Sequence, residues 1–255
     1  VMRAAAEHLT PVTLELGGKS PAICAGDFDI EQAAERILWG KSLNSGQACV
    51  APDHVYIPNA KLGEFKRIIE EKQKRLHLPE SDFAQIVTQR HADRIRALAK
   101  EAQPAREDIE TSVGRHVPLS FPVNPPSTSR LRQEEIFGPI LPLVGYDDLS
   151  EVFTQIYAQP RPLALYIFAK DKKLQQRILD ATYSGGVCIN ETLIHLSNHH
   201  LPFGGTGESG MGNYHGEYSF RCFSHERAVM SQGPIRAGLK ILGRPYRPGQ
   251  LKLFR

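Results

Sequence analysis

Two residues in this 255-residue chain have the side chains and neighbours needed for nucleophilic attack on a carbonyl followed by hydrolysis. The first is Cys49, in Asn44-Ser45-Gly46-Gln47-Ala48-Cys49-Val50-Ala51-Pro52. Asn44, Ser45 and Gly46 stop helices well, so Cys49 is expected to begin a new segment. Gly46 and Ala48 are small and leave room for a substrate to reach the sulfur. A thiolate attacks carbonyls far better than a thiol, and forms in polar, partly exposed settings. On local grounds alone a buried, inert cysteine is the simpler reading, and composition does not choose Cys49 over Cys24, Cys188 or Cys222. The second residue is Glu15, in Val12-Thr13-Leu14-Glu15-Leu16-Gly17-Gly18-Lys19, at the end of an apolar run and before two glycines. Parallel α/β sheets place ligands at the carboxyl ends of their strands. A carboxylate there serves as a general base if burial raises its pKa toward neutrality. The plain alternative is an exposed acid paired with Lys19.

Two other patterns carry less. Gly205-Thr206-Gly207-Glu208-Ser209-Gly210 satisfies GxGxxG, but Leu201-Pro202-Phe203 is a poor strand and Gly212 and Tyr214 open no helix. The dinucleotide motif needs a strand–turn–helix context, so it is rejected here. His195, His199 and His200 have helical spacing but no carboxylate or thiolate beside them, and Asn198 interrupts them. A surface or loop role fits better than a metal site.

The elements that must position Cys49 and Glu15 read as α/β. Ile30, Ala33, Ala34, Ile37 and Leu38 form one apolar stripe, predicting a helix over 30–43 capped by Asp27 or Asp29. Further helices are expected over 62–76 and 91–102. Short strands are expected at 12–16, 22–25 and 54–57. The order then becomes regular: strand 141–146, helix 149–158, strand 163–169, helix 172–182, strand 186–190. Near-continuous apolar strands alternating with helices predict a parallel sheet covered on both faces, a three-layer arrangement. The proline-rich stretch 118–129 is expected to form an extended loop or edge.

Hydrophobic residues at 41% and charged residues at 23% are ordinary globular usage. Thirty-one basic residues stand against 28 acidic ones, a net charge of +3 with no broad footprint for nucleic acid. No apolar run approaches the roughly 20 residues of a membrane span. Arg236, Lys240, Arg244, Arg247, Lys252 and Arg255 make the end of the chain locally basic. A docked surface tail accounts for that, with contact to anionic membrane surfaces as the alternative. Four cysteines without a CxxC pair fit a reduced, cytoplasmic protein. The chain opens at Val1 inside what reads as a helix in progress, suggesting a truncated sequence.

Several strings, taken in order, resemble the aldehyde dehydrogenase superfamily. Glu15-Leu16-Gly17-Gly18-Lys19 resembles its glutamate signature and Gly46-Gln47-Ala48-Cys49 its cysteine signature, with 34 positions separating residue 15 from residue 49. Glu134-Glu135-Ile136-Phe137-Gly138-Pro139 matches its cofactor-ribose motif. Pro202-Phe203-Gly204-Gly205 and Ser209-Gly210 match its late glycine motif. The resemblance runs to about Met230. Cys49-Val50-Ala51-Pro52-Asp53, Pro162-Leu163-Ala164-Leu165-Tyr166, Ser184-Gly185-Gly186-Val187 and Gly210-Met211-Gly212-Asn213-Tyr214-His215-Gly216 are similar to the class-three-like branch of fatty, aromatic and coniferyl aldehyde enzymes.

The resemblance implies that an aldehyde, aromatic or of medium to long chain, becomes a carboxylic acid with NAD or NADP. Cys49 would form a thiohemiacetal and then a thioester, and Glu15 would activate the hydrolytic water. Glu135 would hold the nicotinamide ribose, Phe137 would pack near the ring, and Leu16 and Gly17 would offer backbone beside it. Residues 1–17 would close a dinucleotide-binding domain, most of which is absent. Residues 18–203 would form the catalytic domain, and residues 204–255 the late glycine motif and basic tail. The family implies a homodimer at full length, and the short charged end argues against a stable membrane anchor. About as much chain again precedes this point in the family, so the chain alone is expected to bind little NAD(P). Two alternatives remain open at this stage: a non-catalytic remnant or oligomerisation module, and a cofactor-independent cysteine esterase.

Overall fold

The computed structural model describes residues 1–75, 83–102 and 114–231. The basic positions from Arg236 onward, and Leu76 at the end of the second expected helix, lie outside the described residues. The chain falls into two units, Val1–Cys222 and Phe223–Arg255. Five parallel strands organise the first unit: β2 (Pro21–Cys24), β3 (His54–Pro58), β4 (Leu143–Tyr146), β5 (Ala164–Phe168) and β6 (Gly186–Ile189). Their spatial order is β4-β3-β2-β5-β6.

Alternation along each strand makes the three layers. Ala22, Cys24, Val55, Ile57, Ala164, Tyr166 and Phe168 face one core, which is covered by helix α2 (Ile30–Ser42) and helix α3 (Asn59–Arg75). Ile23, Ala25, Tyr56, Val144, Leu165 and Ile167 face the opposite core. There the cover comes from two shorter helices, Leu149–Tyr157 and Lys172–Asp180. A strand buried on both faces needs apolar residues at every position, and β5 is buried throughout. The apolar stripe expected on α2 is buried at Ala33, Ala34, Ile37 and Leu38. Asp29, not Asp27, caps it, accepting from the Gln32 backbone N–H at 2.8 Å. Asp27 instead accepts from the backbone N–H groups of Lys170 and Asp171.

A third, smaller core lies under an irregular loop. Helix α4 (Gln89–Ala102) turns Ala92, Ile95, Leu98 and Ala99 toward Leu131, Ile136 and Ile140. The proline-rich stretch runs beside β4, with parallel bridges Ser120 to Ile140 and Val123 to Leu143. That is the edge role expected of a segment with few N–H donors.

One expectation is corrected and one made more specific. The strand expected over 12–16 is only Leu14–Glu15 (β1), and it does not belong to the parallel sheet. It pairs antiparallel with Gly210–Met211 (β7), Leu14 opposite Met211 and Glu15 opposite Gly210. Glu15 therefore does not stand at the carboxyl end of a parallel strand. His195, expected on a surface or loop, is half-buried in a 3₁₀ turn against Tyr166 and Phe203, while His199 and His200 are exposed. The rejected glycine pattern forms a short 3₁₀ turn, Gly207–Ser209, that feeds β7. It opens no long helix. Among the described residues, no helix is long and apolar enough to cross a membrane.

Lys41, in the last turn of α2, is 1% exposed. Burial lowers its pKa to about 8, against the pull of Asp53. In the unfolded chain the amine keeps its proton up to about pH 10.5, so folding is penalised while Lys41 must be buried charged. The penalty is largest below pH 8 and fades as pH rises from 8 to 10.5, where the unfolded chain binds the extra proton. Lys41→Met should accordingly stabilise the chain by about 1–3 kcal/mol at pH 7. The gain should vanish near pH 10.5 in urea titrations run at both values. An equal gain at both would show that the amine is not buried charged.

Candidate active site

Each crossover in a parallel sheet carries the chain back to the amino ends of the strands. The segment after α2 therefore reaches Cys49 beside the start of β3. Its path depends on left-handed backbone: Asn44 and Ser45 have φ of 49° and 54°, and Gly46 follows at 70°. A Cβ at Gly46 would collide with the Gly138 carbonyl, so this position needs glycine for both its angle and its clearance. Side chains hold the loop in place. Ser45 Oγ donates to the Ala84 carbonyl at 2.7 Å. Gln47 accepts from the Val87 N–H at 2.9 Å and donates to the Asn44 and Gln85 carbonyls, each at 3.1 Å. From below, the Tyr166 hydroxyl donates to the Val50 carbonyl.

Cys49 is half-buried, and Glu15 lies within hydrogen-bonding reach of its thiol. Burial first, then the Glu15 hydrogen bond and charge, push the thiol up to about 12. The backbone N–H groups of Cys49 and Val50 work in the opposite direction. At neutral pH the sulfur is protonated, with the Glu15 carboxylate beside it. Tyr214 completes the group, its hydroxyl donating to Glu15 Oε2 at 3.3 Å. Glu15 does not pair with Lys19, which is bound to Asp53 instead.

A second group adjoins the first through the consecutive residues Glu15, Leu16 and Gly17. The carboxylate of Glu135 packs where a Gly17 side chain would stand and accepts from the Gly18 N–H. Burial raises the Glu135 pKa, while the Gly18 contact opposes the rise. Arg94 of α4 donates to the carbonyls of Glu135, at 3.1 Å, and Ile136. Phe137 holds φ +50°, with its ring centroid 6.2 Å from that of His91. Leu16 is about half exposed. The loop carrying Glu135 and Phe137 meets the Cys49 loop where Gly138 lies under Gly46. All six residues singled out from the sequence thus lie on two adjoining loops and the ribbon strand beside them.

Sequence reasoning missed Lys19 as an internal ion-pair partner, and also Asp53, Arg94 and Tyr214. Asp53 and Tyr214 stood inside strings matched to the class-three-like branch. Nothing local marked them, because their partners lie far away in sequence.

The parallel three-layer fold, with a cysteine and a carboxylate converging beside its amino edge, defines an α/β protein with a thiol and an acid in one place. A family model described as "Aldehyde dehydrogenase family" matches residues 1–229, and the chain belongs to that family. It is 44% identical to a "Probable coniferyl aldehyde dehydrogenase" of Pseudomonas aeruginosa, over 96% of this chain and 53% of that protein. It is 40% identical to "Aldehyde dehydrogenase, dimeric NADP-preferring" of Canis lupus familiaris, over 90% of this chain and 52% of that one. A solved structure of Staphylococcus aureus AldH in a substrate-bound state superposes with a TM-score of 0.87 at 36% identity, over 99% of this chain and 56% of that one. The chain spans about half the length of these relatives.

Because the Glu15 charge holds the Cys49 proton on, Glu15→Gln should increase the thiolate fraction. Iodoacetamide labelling of the Cys49 peptide at pH 8, followed by mass spectrometry, should speed up several-fold in this variant. Slower labelling would mean that Glu15 draws the proton off the resting thiol, and the raised pKa would be wrong.

Proposed function

We propose that the protein containing this chain oxidises an aldehyde to a carboxylic acid with NAD or NADP, using Cys49 as nucleophile and Glu15 as base. The observation that carries this reading is the meeting of the Cys49 thiol and the Glu15 carboxylate beside the Gly17–Glu135 contact. Cys49 sulfur adds to the aldehyde carbon while its proton leaves for Glu15, giving a thiohemiacetal. The Cys49 backbone N–H donates to the developing oxyanion. A bound nicotinamide supplies the two-electron oxidant that turns this adduct into a thioester. Glu15, exposed and held by Tyr214, passes that first proton to solvent and then removes one from water, which displaces the Cys49 sulfur and releases the acid.

The residues present fit such a cofactor. Gly17 offers backbone with no side chain, and the partly buried Glu135 carboxylate lies directly over it, able to accept from the hydroxyls of a ribose. Phe137 would pack near the nicotinamide ring, beside Leu16 and Gly17. The substrate is an aromatic or medium- to long-chain aldehyde. The coniferyl aldehyde enzyme among the relatives supports this class. A homodimer is supported by the dimeric relative, and a reducing, cytoplasmic setting by four cysteines with no disulfide.

The test is to express the full gene product and follow reduced nicotinamide with hexanal or cinnamaldehyde and either NAD or NADP. The parent should turn over, and Cys49→Ala should not. Glu15→Gln should slow steady-state turnover by about 100- to 10,000-fold while a first burst of reduced nicotinamide, slower but of full amplitude, persists. Equal loss of burst and steady state in Glu15→Gln would remove Glu15 from the hydrolytic step. Turnover by Cys49→Ala would end the reading.

A further inference from the structure

Lys19 and Asp53 are almost without solvent, at 8% and 3% exposure, and no step proposed above uses either of them. The Lys19 ammonium has three donors, and each has an acceptor: Asp53 Oδ1 at 2.5 Å, the Leu131 carbonyl at 3.0 Å and the Glu134 carbonyl at 2.8 Å. The other Asp53 oxygen, Oδ2, accepts from the Ile136 N–H at 3.0 Å. The pair therefore grips the loop on both sides of Glu135, at residues 134 and 136. Arg94 takes the carbonyls of Glu135 and Ile136 from the other direction.

This loop has no ladder of its own. Between helix Arg130–Gln133 and β4, its backbone around Glu135 is bound by charged side chains from β3's amino end, the segment before β2, and α4. Such an arrangement contributes little as a source of stability. Desolvating two charges costs about what their attraction returns, so an apolar pair of similar volume would lose chiefly the bonds to the Leu131, Glu134 and Ile136 backbone. What an apolar pair could not supply is direction. Hydrogen bonds of fixed length set where the Glu135 carboxylate and the Phe137 ring stand relative to Gly17, and Phe137 is held in a left-handed conformation that a non-glycine residue seldom adopts.

We infer that Lys19 and Asp53 are positioning residues that set the placement of Glu135 and Phe137 for the nicotinamide ribose, without touching cofactor or substrate. The inference rests on the cofactor reading proposed above. It assigns to a buried ion pair a role in dinucleotide affinity, separate from the Cys49 chemistry.

The experiment uses the full gene product with Asp53→Asn and the double variant Lys19→Met/Asp53→Leu, which removes both charges together. Four quantities are read: thermal midpoint, NAD(P) affinity by fluorescence titration, p-nitrophenyl acetate hydrolysis without cofactor, and amide exchange over residues 134–137. The double variant should lose only about a few degrees of thermal midpoint and keep most of its hydrolysis. Its NAD(P) Kd should rise about 10- to 100-fold, and the 134–137 amides should exchange faster. Asp53→Asn, which keeps an acceptor for the Ile136 N–H, should weaken binding less. Parent-like affinity in the double variant overturns the inference. So does a fall in hydrolysis matching the loss of affinity, which would mark a general structural role. If the double variant does not fold, Asp53→Asn decides by the same comparison: weaker NAD(P) binding with hydrolysis retained supports the role, and unchanged binding ends it. A parent that fails to bind NAD(P) refutes the cofactor reading instead, an outcome seen before any variant is compared.

Discussion

An ammonium and a carboxylate, both shut away from water, meet where the chain enters β2 and β3. Burial alone would raise the Asp53 pKa. The Lys19 charge overrides it, helped by His54 and Lys41, and holds the carboxyl well below the usual carboxylate range. The neighbouring His54 goes the other way: burial lowers it to about 4 despite Asp53, so it is neutral at physiological pH. The pair thus stays a simple two-charge unit across the working range of pH. Two adjacent parallel strands and the loop over their amino ends share it, and the Cys49 loop rests on that same loop through Gly46 and Gly138.

The site's location follows from connectivity. Ligands of open α/β sheets usually sit past the carboxyl ends of the strands. Here the carboxyl side between β2 and β5 is closed by Asp27, which caps the Lys170 and Asp171 amides. The amino side is built instead from returning crossovers, from the 134–138 loop and from the β1–β7 ribbon. That ribbon is only two residues long per strand, yet it brings Glu15 and Tyr214 together from positions nearly 200 residues apart.

Much of the architecture could be read from residues. Continuous apolar runs marked the strands of the sheet and a period of 3.6 its helices, because a doubly covered parallel sheet writes burial directly into sequence. Element ends were less clear: α3 begins at Asn59, three residues before the apolar pattern starts, since its first turn is solvent-facing. The β1 strand was overread because Val12 and Leu16 are apolar, although neither joins a ladder. For the site, Cys49 and Glu15 were indistinguishable from inert residues on local grounds, and only motif order singled them out. Lys19, Asp53, Arg94 and Tyr214 act through contacts between distant segments, and periodicity carries no trace of such contacts.

The two halves of the site are held to different degrees, and the difference matches the chemistry proposed for each. Around Glu135, four backbone groups and a carboxylate are bound by Lys19, Asp53, Arg94 and Gly18. A group that orients a ribose has nothing to gain from moving. The Glu15 side chain is exposed, bonded among the described residues to Tyr214 at a long 3.3 Å, and lies beside the Cys49 thiol. A base that must first take a proton from sulfur and later from water has to reach two positions, and weak tethering allows that at little cost. The raised thiol pKa fits the same logic. Burial and the Glu15 charge keep the sulfur protonated, and in the proposed mechanism the nucleophile is released only when the carboxylate takes its proton. A more tightly hydrogen-bonded Glu15 would be a weaker base and a poorer shuttle.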